Sequence, residues 1–404
     1  MKKRFLIFGL LAAMATTVTV SCSRDDDGFG SGAVVAQKSN LTVTLSGKDI
    51  SSYKNVAVEI QEVNTGAITK YNFVNQSAHT FDLPYGSYKV VANGEAIMVS
   101  LDEVQVGGTA NVDINTATSN VLVNLQIKQF SQDFLIEEVF FTGVKTPDNK
   151  NYNNSRYFKL VNNTDKVLYA DNLIISGSEF FTTVKRVITP YNVEEYFPIS
   201  NMMVLTGSGT QYPVQPGDFI VVADNAIDHT ASNGFDLRNA DFEFPSSNPS
   251  LGHVDNPAVP NAAVVYTKMS FNMIFLYTTS QEAYVIARFP AGENPATFIQ
   301  NYKYTYSYTN SAGNTTTVNS YKIPNSWIVD AVNTSRDADF QHIITGASLD
   351  AGYTSASPGY SGKTVRRKVL GQTANGKNIY KDTNNSASDF TRDSQSSLIN
   401  GIIR

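Results

Sequence analysis

Short segments in which apolar and polar residues alternate are the feature of this sequence that most constrains its fold. Residues 41–45 place Leu, Val and Leu around threonines, and residues 56–60 repeat the alternation with Val, Val and Ile. A period of two is typical of a β-strand with one buried face. Short strands separated by turns indicate β-sandwiches, so the chain is predicted to be mostly β. The best helical candidates are short, at residues 236–242 and 397–403.

The first alternating region contains a recognisable motif at residues 83–90, which read Leu-Pro-Tyr-Gly-Ser-Tyr-Lys-Val. This motif resembles the signature of small transthyretin-like and carboxypeptidase-regulatory-like sandwiches. The resemblance extends over residues 40–127. It implies a Greek-key β-sandwich at residues 39–129 that acts as a spacer or display domain and takes no part in catalysis.

A second series of patterns begins further along the chain. In chain order these are residues 134–143, 157–165, 216–222, 326–332 and 365–368. The series resembles a lamin-tail domain, in which a strand carrying Tyr and a core Leu runs into an Asn-rich turn. The resemblance implies an Ig-type sandwich at residues 130–404, with Trp327 in a structural role. Since lamin-tail domains are much shorter, it also implies large insertions, chiefly at 177–212 and 228–320.

The closing segment, residues 382–390, completes a pattern that resembles an uncharacterised family of Bacteroidetes-type surface lipoproteins. Members of that family look like companions of TonB-dependent outer-membrane transporters. The resemblance therefore implies that a TonB-dependent transporter is a partner of this protein.

The single cysteine of the chain, Cys22, follows a basic start at residues 2–4 and an apolar run at residues 5–20. The arrangement resembles a bacterial lipobox, although Thr19 stands where that pattern usually has an aliphatic residue. It implies a signal peptide at residues 1–21 and a diacylglycerol and palmitate anchor on Cys22. The alternatives are an ordinary cleaved signal or an uncleaved membrane anchor, which needs roughly 20 apolar residues. With Cys22 lipidated no disulfide can form, so the fold relies on packing.

An acidic stretch follows the cysteine, with Ser23, Asp25, Asp26 and Asp27 as its main residues. It resembles the signal that sends lipoproteins of Bacteroidetes-type bacteria to the outer face of the outer membrane. The alternative interpretations are a solvated acidic linker and retention in the periplasm. Residues 22–38 show little apolar patterning and are predicted to be a flexible tether.

The charge balance argues against nucleic acid as a partner. The chain carries 31 basic and 36 acidic residues, for a net charge of −5, and the basic residues are scattered. Nucleic-acid-binding domains usually concentrate Lys and Arg on one surface.

Motifs for catalysis are scarce. The sequence has no G-x-S-x-G elbow, P-loop or dinucleotide fingerprint. His229 follows Asp224 and Asp228, and His253 lies near Asp255, so folding could assemble a hydrolytic dyad. The alternative, that these are surface loop residues, is favoured, and the protein is not expected to be an enzyme.

A weak calcium candidate lies near the C-terminus. Asp382, Asn384 and Ser386 alternate oxygen ligands, and Asp393 follows at a spacing that resembles an EF-hand loop. Ala387 occupies the place where that loop needs glycine, and no flanking helices are evident. Asp and Asn also form hydrogen-bonded turns without an ion. No other cofactor is expected.

The most distinctive side-chain array is a row of tyrosines at alternate positions, Tyr302, Tyr304, Tyr306 and Tyr308. On a strand they share one face, and residues 310–314 can turn the chain into a hairpin. An exposed row could stack on a sugar ring, a planar catecholate-type ligand or a partner protein. The alternative is that this face packs onto a neighbouring sheet.

These patterns predict a non-enzymatic, lipid-anchored protein of the outer-membrane surface that binds a small-molecule, glycan or protein ligand, as an accessory to a TonB-dependent transporter. An adhesin or structural surface protein is the second interpretation, because tandem β domains also project contacts outward. A hydrolase with an Asp/His site is the third.

Overall fold

The computed structural model describes residues 37–128, 131–245, 252–270, 273–309 and 312–404. The predicted signal peptide, the lipidated Cys22 and the export residues Ser23, Asp25, Asp26 and Asp27 lie outside the described residues. Across the described ranges the molecule consists of strands with little helix, which confirms the prediction of a mostly β fold. Within those ranges, no helix has the length and apolar character needed to cross a membrane.

Seven strands build the first domain. They are β1 (Lys38–Gly47), β2 (Ile50–Glu62), β3 (Ile68–Phe73), β4 (Ala78–Pro84), β5 (Gly86–Met98), β6 (Glu103–Ile114) and β7 (Thr118–Ile127). Their order is β3-β2-β5-β6-β7-β1-β4, with β1 and β7 parallel. Because β6 and β7 share only the pairs Val106–Ile127 and Gly107–Gln126, the sheet turns there and its two parts face each other across one core.

The sequence signals of this domain correspond to specific packing. Leu41 and Val43 of β1 and Val56 of β2 are fully buried in the core, as their alternation predicts. In the motif at 83–90, the hydroxyl of Tyr88 donates a hydrogen bond to the carbonyl oxygen of Pro84 at 2.8 Å. That bond closes the tight turn between β4 and β5.

The second domain contains many more strands and two short helices. In chain order they are β8 (Leu135–Phe140), β9 (Val144–Lys145), β10 (Asn151–Tyr152), β11 (Tyr157–Val161), β12 (Leu168–Tyr169), β13 (Leu173–Ser178), β14 (Ile188–Thr189), β15 (Tyr196–Val204), β16 (Pro213–Val214), β17 (Phe219–Ala223), β18 (Phe242–Glu243), β19 (Ala263–Thr267), β20 (Ala283–Arg288), α1 (Pro295–Asn301), β21 (Lys303–Thr309), β22 (Thr315–Pro324), β23 (Ile328–Asn333), β24 (Lys363–Arg367), β25 (Val369–Gln372), β26 (Asn378–Tyr380), α2 (Ser386–Asp389) and β27 (Phe390–Gln395). Short 3₁₀ turns cover Thr230–Ser232 and Asn325–Trp327.

Two large sheets of this domain pack face to face. The first has the order β18-β17-β11-β8-β24-β27, and the second has the order β14-β21-β22-β15-β13-β20-β23, with β19 also paired to β15. Phe158 and Val222 from the first sheet meet Ile175 and Ile286 from the second in the buried core between them. β15 and β20 fall in the segments that the lamin-tail resemblance treats as insertions, yet they are interior strands of the second sheet.

A buried ion pair links the two sheets. Nη2 of Arg367 on β24 donates a hydrogen bond to Oδ2 of Asp330 on β23 at 2.6 Å, and both side chains are almost fully buried. The same carboxylate oxygen accepts a hydrogen bond from the backbone N–H of Ile136 on β8 at 2.6 Å. Burial raises the pKa of Asp330 to about 7, although the charge of Arg367 opposes the rise.

The outer face of the second sheet carries a core of its own. Ile174 of β13, Ile199 of β15 and Val285 of β20 point into it, and Phe298 of α1 and Tyr304 of β21 cover it. Alternate residues of β13 and β20 pack into the core between the two sheets and into this outer core, so these strands are apolar on both faces. The hairpin of β21 and β22 therefore lies over a packed surface.

The two domains are in contact through the β25 and β26 region. Nζ of Lys381 pairs with Oδ1 of Asp102 at 2.7 Å, and both side chains are mostly buried. Leu370 of β25 packs against the core of the first domain.

Both helical candidates from the sequence are wrong. Residues 236–242 consist of an isolated bridge, a turn and the first residue of β18, and Leu237 and Phe242 are buried in two different core clusters. Residues 397–403 form turns around the buried Leu398.

Candidate functional site

The four tyrosines of the row occupy one face of β21 and the residue before it, as their spacing predicts. That face packs against the sheet, because Tyr304 is 2% exposed and Tyr306 is 5% exposed. Tyr302 and Tyr308, at the two ends of the row, are half-buried. The row is therefore not an exposed stacking surface along its length, which is the alternative that the sequence left open.

The first half of the row has a structural role. Tyr302 stacks on Phe298 with ring centroids 5.5 Å apart and meets Trp327 edge-on at 4.6 Å. The hydroxyl of Tyr304 donates a hydrogen bond to the carbonyl oxygen of Pro190 at 2.5 Å. Trp327 is buried in the same cluster, in agreement with the structural role expected for it.

The second half of the row opens onto a cavity of about 310 Å³, which we call the tyrosine cavity. Tyr306 and Tyr308 form one wall, and Phe181, Phe275 and Tyr277 form another. Tyr277 meets both phenylalanines edge-to-face at 5.2 Å, an arrangement that aromatic rings favour. The volume lies at the lower end of the range of small-molecule pockets, roughly 300–1,000 Å³.

A buried carboxylate, Glu179, occupies one side of the cavity. Its side chain is 1% exposed, and Oε1 accepts a hydrogen bond from the hydroxyl of Tyr306 at 2.5 Å. The same oxygen forms an ion pair with Nζ of Lys268, whose side chain is 36% exposed. Oε2 lies 3.4 Å from the hydroxyl of Ser320. The charge of Glu179 is thus compensated within the protein.

A second carboxyl group, Glu282, forms the cavity floor. It is fully buried, and Oε2 accepts a hydrogen bond from the hydroxyl of Tyr284 at 2.9 Å. Oε1 makes no well-formed hydrogen bond with any described residue. Burial raises the pKa of Glu282 to about 8, and the Tyr284 hydroxyl and the backbone N–H of Tyr277 oppose that rise. Glu282 is accordingly a neutral acid at pH 7.

Strand register brings the two acids to the same end of the sheet. Gly177 of β13 lies opposite Tyr284 of β20 in an antiparallel ladder. Glu179, just after β13, and Glu282, just before β20, therefore emerge side by side, although 103 positions separate them in the chain.

A β-bulge shapes the adjoining wall. Gly177 pairs with Asn201 and Ser178 pairs with Ile199, so Ser200 of β15 is an extra residue in the ladder. The side-chain oxygen of Asn201 accepts a hydrogen bond from the backbone N–H of Gly177 at 3.2 Å. The bulge turns both Ser200 and Asn201 toward the cavity, which is a recognised use of such irregularities beside functional sites.

The mouth of the cavity carries a second cation, Arg186. It is exposed, and its guanidinium carbon lies 4.3 Å from the centroid of the Tyr308 ring. β14 pairs with β21 through Ile188 and Tyr308, and this pairing holds the Arg186 segment beside the tyrosine. Met269, which is 41% exposed, lies at the opposite rim with Lys268.

The histidine candidates are not the surface residues that the favoured alternative expects, because His229 and His253 are both buried. Nε2 of the buried His229 donates a hydrogen bond to the backbone oxygen of Asn225 at 2.9 Å, so Nδ1 accepts one from the hydroxyl of Tyr152 at 2.6 Å. Burial lowers the pKa of His229. Asp224 pairs with the buried Arg156 at 2.7 Å. Both ring nitrogens are thus engaged with groups other than a carboxylate.

The remaining candidate acids are also engaged elsewhere. Asp228 accepts hydrogen bonds from the backbone N–H and hydroxyl of Thr230. Asp255 accepts a hydrogen bond from the side-chain amide of Asn261 at 2.8 Å, and His253 is buried. The structure assembles no Asp/His dyad from these described residues.

The four calcium candidates form a hydrogen-bonded turn region. Asp382 accepts a hydrogen bond from a buried arginine of β24, and Ser386 donates one of 2.5 Å to a buried aspartate. Asn384 has a left-handed backbone with φ 53°, and Asp393 accepts a hydrogen bond from a backbone N–H. The loop closes around Asp389, whose carboxylate accepts bonds from two of its backbone N–H groups. Among the described residues, no three His, Cys, Asp or Glu side chains are grouped as metal ligands.

The sequence reading missed four charged residues of the tyrosine cavity, Glu179, Arg186, Lys268 and Glu282. The signal available for the two acids was their position, since each directly borders a short apolar strand segment. Nothing in the local sequence marks the two cations.

Comparisons with known proteins connect this chain with one uncharacterised family. A model of the family described as a protein of unknown function, DUF4876, matches residues 215–397. This stretch includes Lys268, Glu282 and the tyrosine row, whereas Glu179 and Arg186 precede it. No curated protein matches the chain.

Two solved structures match this chain to very different degrees. The crystal structure of a DUF4876 family protein from Bacteroides thetaiotaomicron matches with a TM-score of 0.61 at 22% sequence identity, over 89% of this chain and 98% of that chain. The two proteins therefore share a fold. A fimbrial assembly protein from Parabacteroides distasonis matches with a TM-score of 0.16 at 14% identity, over 44% of this chain and 84% of that chain. A similarity at that level carries no structural argument.

Proposed function

We propose that this protein is a non-enzymatic lipoprotein of the outer-membrane surface that binds a small molecule in the tyrosine cavity, as an accessory to a TonB-dependent transporter. The observation that carries the binding function is the cavity itself. Its aromatic walls converge on Glu282, a buried carboxyl group with one oxygen that lacks a well-formed hydrogen bond among the described residues. Preformed, mainly aromatic pockets with a few convergent polar groups are the usual form of small-molecule sites.

The state of the two carboxyl groups supports binding without turnover. Glycoside hydrolases also use a pair of carboxyl groups in one cavity for catalysis. Here Oε1 of Glu179 accepts a hydrogen bond from Tyr306 and forms an ion pair with Lys268, and Glu282 is fully buried. Oε1 of Glu179 would first have to leave these partners to act on a bound molecule, and Oε1 of Glu282 has almost no exposed surface.

The location rests on the sequence. The signal pattern before Cys22, the acidic stretch that follows it and the resemblance to surface lipoproteins all favour the outer face of the outer membrane. The first domain, with no cavity residue of its own, then acts as a spacer between the tether and the tyrosine cavity.

A thermal-shift screen of small molecules against the mature chain tests the binding function. A compound that binds in the cavity should raise the melting temperature of the wild type. Its affinity should fall about tenfold or more in Tyr308→Ala, since an aromatic wall and its stacked arginine are lost. Tyr169→Ala is the matched control, because Tyr169 is a 37% exposed tyrosine of β12 that does not line the cavity. Hits that resist Tyr308→Ala would count against this site, and chromatography of each hit after incubation would reveal any turnover.

Affinity purification from the native membrane after mild cross-linking tests the transporter partnership. A β-barrel transporter recovered in near-equal amount would support the accessory role. Recovery of the lipoprotein alone, still removed from intact cells by protease, would favour a free-standing binder or an adhesin.

A further inference from the structure

The charges of the tyrosine cavity constrain the charge of its ligand. Glu179 and Lys268 neutralise each other through their ion pair. Glu282 is uncharged at neutral pH, because burial raises its pKa to about 8. Arg186 has no carboxylate partner within the part of the chain that the structure describes, and its guanidinium group lies over the ring of Tyr308. The cavity therefore has one positive charge in excess, at its mouth.

The geometry of Arg186 favours a carboxylate as the compensating group. Its guanidinium carbon lies 4.3 Å from the centroid of the Tyr308 ring, so the cation is held at the aromatic wall by a cation–π contact. No hydrogen bond or ion pair to the described residues accompanies that contact. A guanidinium group presents a planar fork of N–H donors that matches the two oxygens of a carboxylate.

The residues that line the cavity indicate the shape and polarity of the rest of the ligand. Phe181, Phe275 and Tyr277 offer ring faces and edges to a compact ring, while Ser200 and Asn201 make the opposite wall polar. Oε1 of Glu282 lies buried beneath the floor and makes no well-formed hydrogen bond with the described residues. A ring that carries hydroxyl groups can pack against the aromatic wall and form hydrogen bonds with the polar wall. The cavity volume of about 310 Å³ is enough for one or two such rings.

This inference rests on the proposed function and deepens it. We infer that the ligand of the tyrosine cavity is a hydroxylated ring with a single carboxylate, the chemistry of a uronic acid, either free or at the end of a chain. The carboxylate pairs with Arg186, and the ring packs against the aromatic walls above Glu282.

Titration calorimetry with matched sugars tests this chemistry. Glucuronate and galacturonate are compared with glucose and galactose, which have the same rings without the carboxylate, and with digalacturonate, which represents a chain end. The uronates should bind, and Arg186→Gln should weaken them roughly ten- to a hundredfold by removing a charge-assisted pair. Lys185→Gln is the control, because Lys185 is the adjacent exposed cation and does not line the cavity.

The outcomes separate the ligand class from the proposed function. Uronate binding that depends on Arg186 and not on Lys185 supports the inference, and a preference for digalacturonate identifies a chain end as the source. Equal binding of neutral and acidic sugars, or uronate binding unchanged in Arg186→Gln, overturns the ligand class while leaving small-molecule binding intact. If no sugar binds but the thermal-shift screen gives hits that depend on Tyr308, the uronate inference fails and the proposed function stands. If the screen also gives none, both fail.

Discussion

Replacing Glu282 by glutamine perturbs the floor of the tyrosine cavity without changing its shape. Burial raises the pKa of this side chain from 4.5 to about 8 in the folded protein. Between these values the native protein keeps the proton while the unfolded chain has lost it. The free energy of unfolding of the wild type should therefore fall as the pH rises from about 4.5 to about 8, and level off above that.

The size of the effect follows from the two pKa values. Each tenfold difference in proton affinity is worth ~1.4 kcal/mol, so Glu282 should cost the wild type roughly 3 kcal/mol of stability between pH 5 and pH 8. Because glutamine does not titrate, the free energy of unfolding of Glu282→Gln should not show this decrease. The difference in unfolding free energy between variant and wild type should grow by that amount over the same interval.

Urea unfolding at pH 5 and pH 8 measures this difference. Trp327, the only tryptophan in the chain, is buried in the second domain and reports on its unfolding. Glu195→Gln is the matched control, because Glu195 is exposed and should leave the pH dependence unchanged. If wild type and Glu282→Gln lose equal stability between the two pH values, Glu282 is ionised in the native cavity and the reasoning about the neutral floor is refuted.

Three further predictions address the ion pair between the sheets, the cavity wall and the anchor. Arg367→Met should destabilise the second domain by about 3–5 kcal/mol in urea unfolding, because it leaves the buried Asp330 unpaired; a loss below about 1 kcal/mol would contradict this. Tyr306→Phe should cost about 1.5–3 kcal/mol by removing a hydrogen bond to a buried carboxylate, whereas Tyr308→Phe, as the control on the same strand, should cost far less. Cys22→Ala should abolish labelling of the protein with radioactive palmitate and release it from the membrane fraction, and retained labelling would refute the lipid anchor.

The first domain could be predicted from the sequence because its strands have one buried face each. The alternation around Leu41 and Val56 predicts both the strands and the residues that face the core. The interior strands of the second domain, β13 and β20, pack on both faces, so all residues of β13 and nearly all residues of β20 are buried and no alternation marks these strands. The resemblance to a shorter domain places β20 in an insertion, whereas in the structure it is an interior strand of the second sheet.

The site could be predicted only in part. Spacing shows that the tyrosines share a face, but tyrosine suits both a covered and an open surface, so the burial of Tyr304 and Tyr306 could not be read from the sequence. Glu179 and Glu282 look like ordinary strand ends, and only the pairing of β13 with β20 brings them together. In the segment with Asp382, the side chains at an ion-like spacing take part in hydrogen-bonded turns, and the spacing alone does not distinguish such turns from a calcium loop.

The most direct test of ligand binding in the tyrosine cavity is a crystal structure of the mature chain with a compound that passes the thermal-shift screen. We expect the compound to lie between Tyr308 and the cavity floor above Glu282, in contact with both aromatic walls. A compound bound elsewhere on either domain, with the tyrosine cavity unoccupied, would contradict the proposed function.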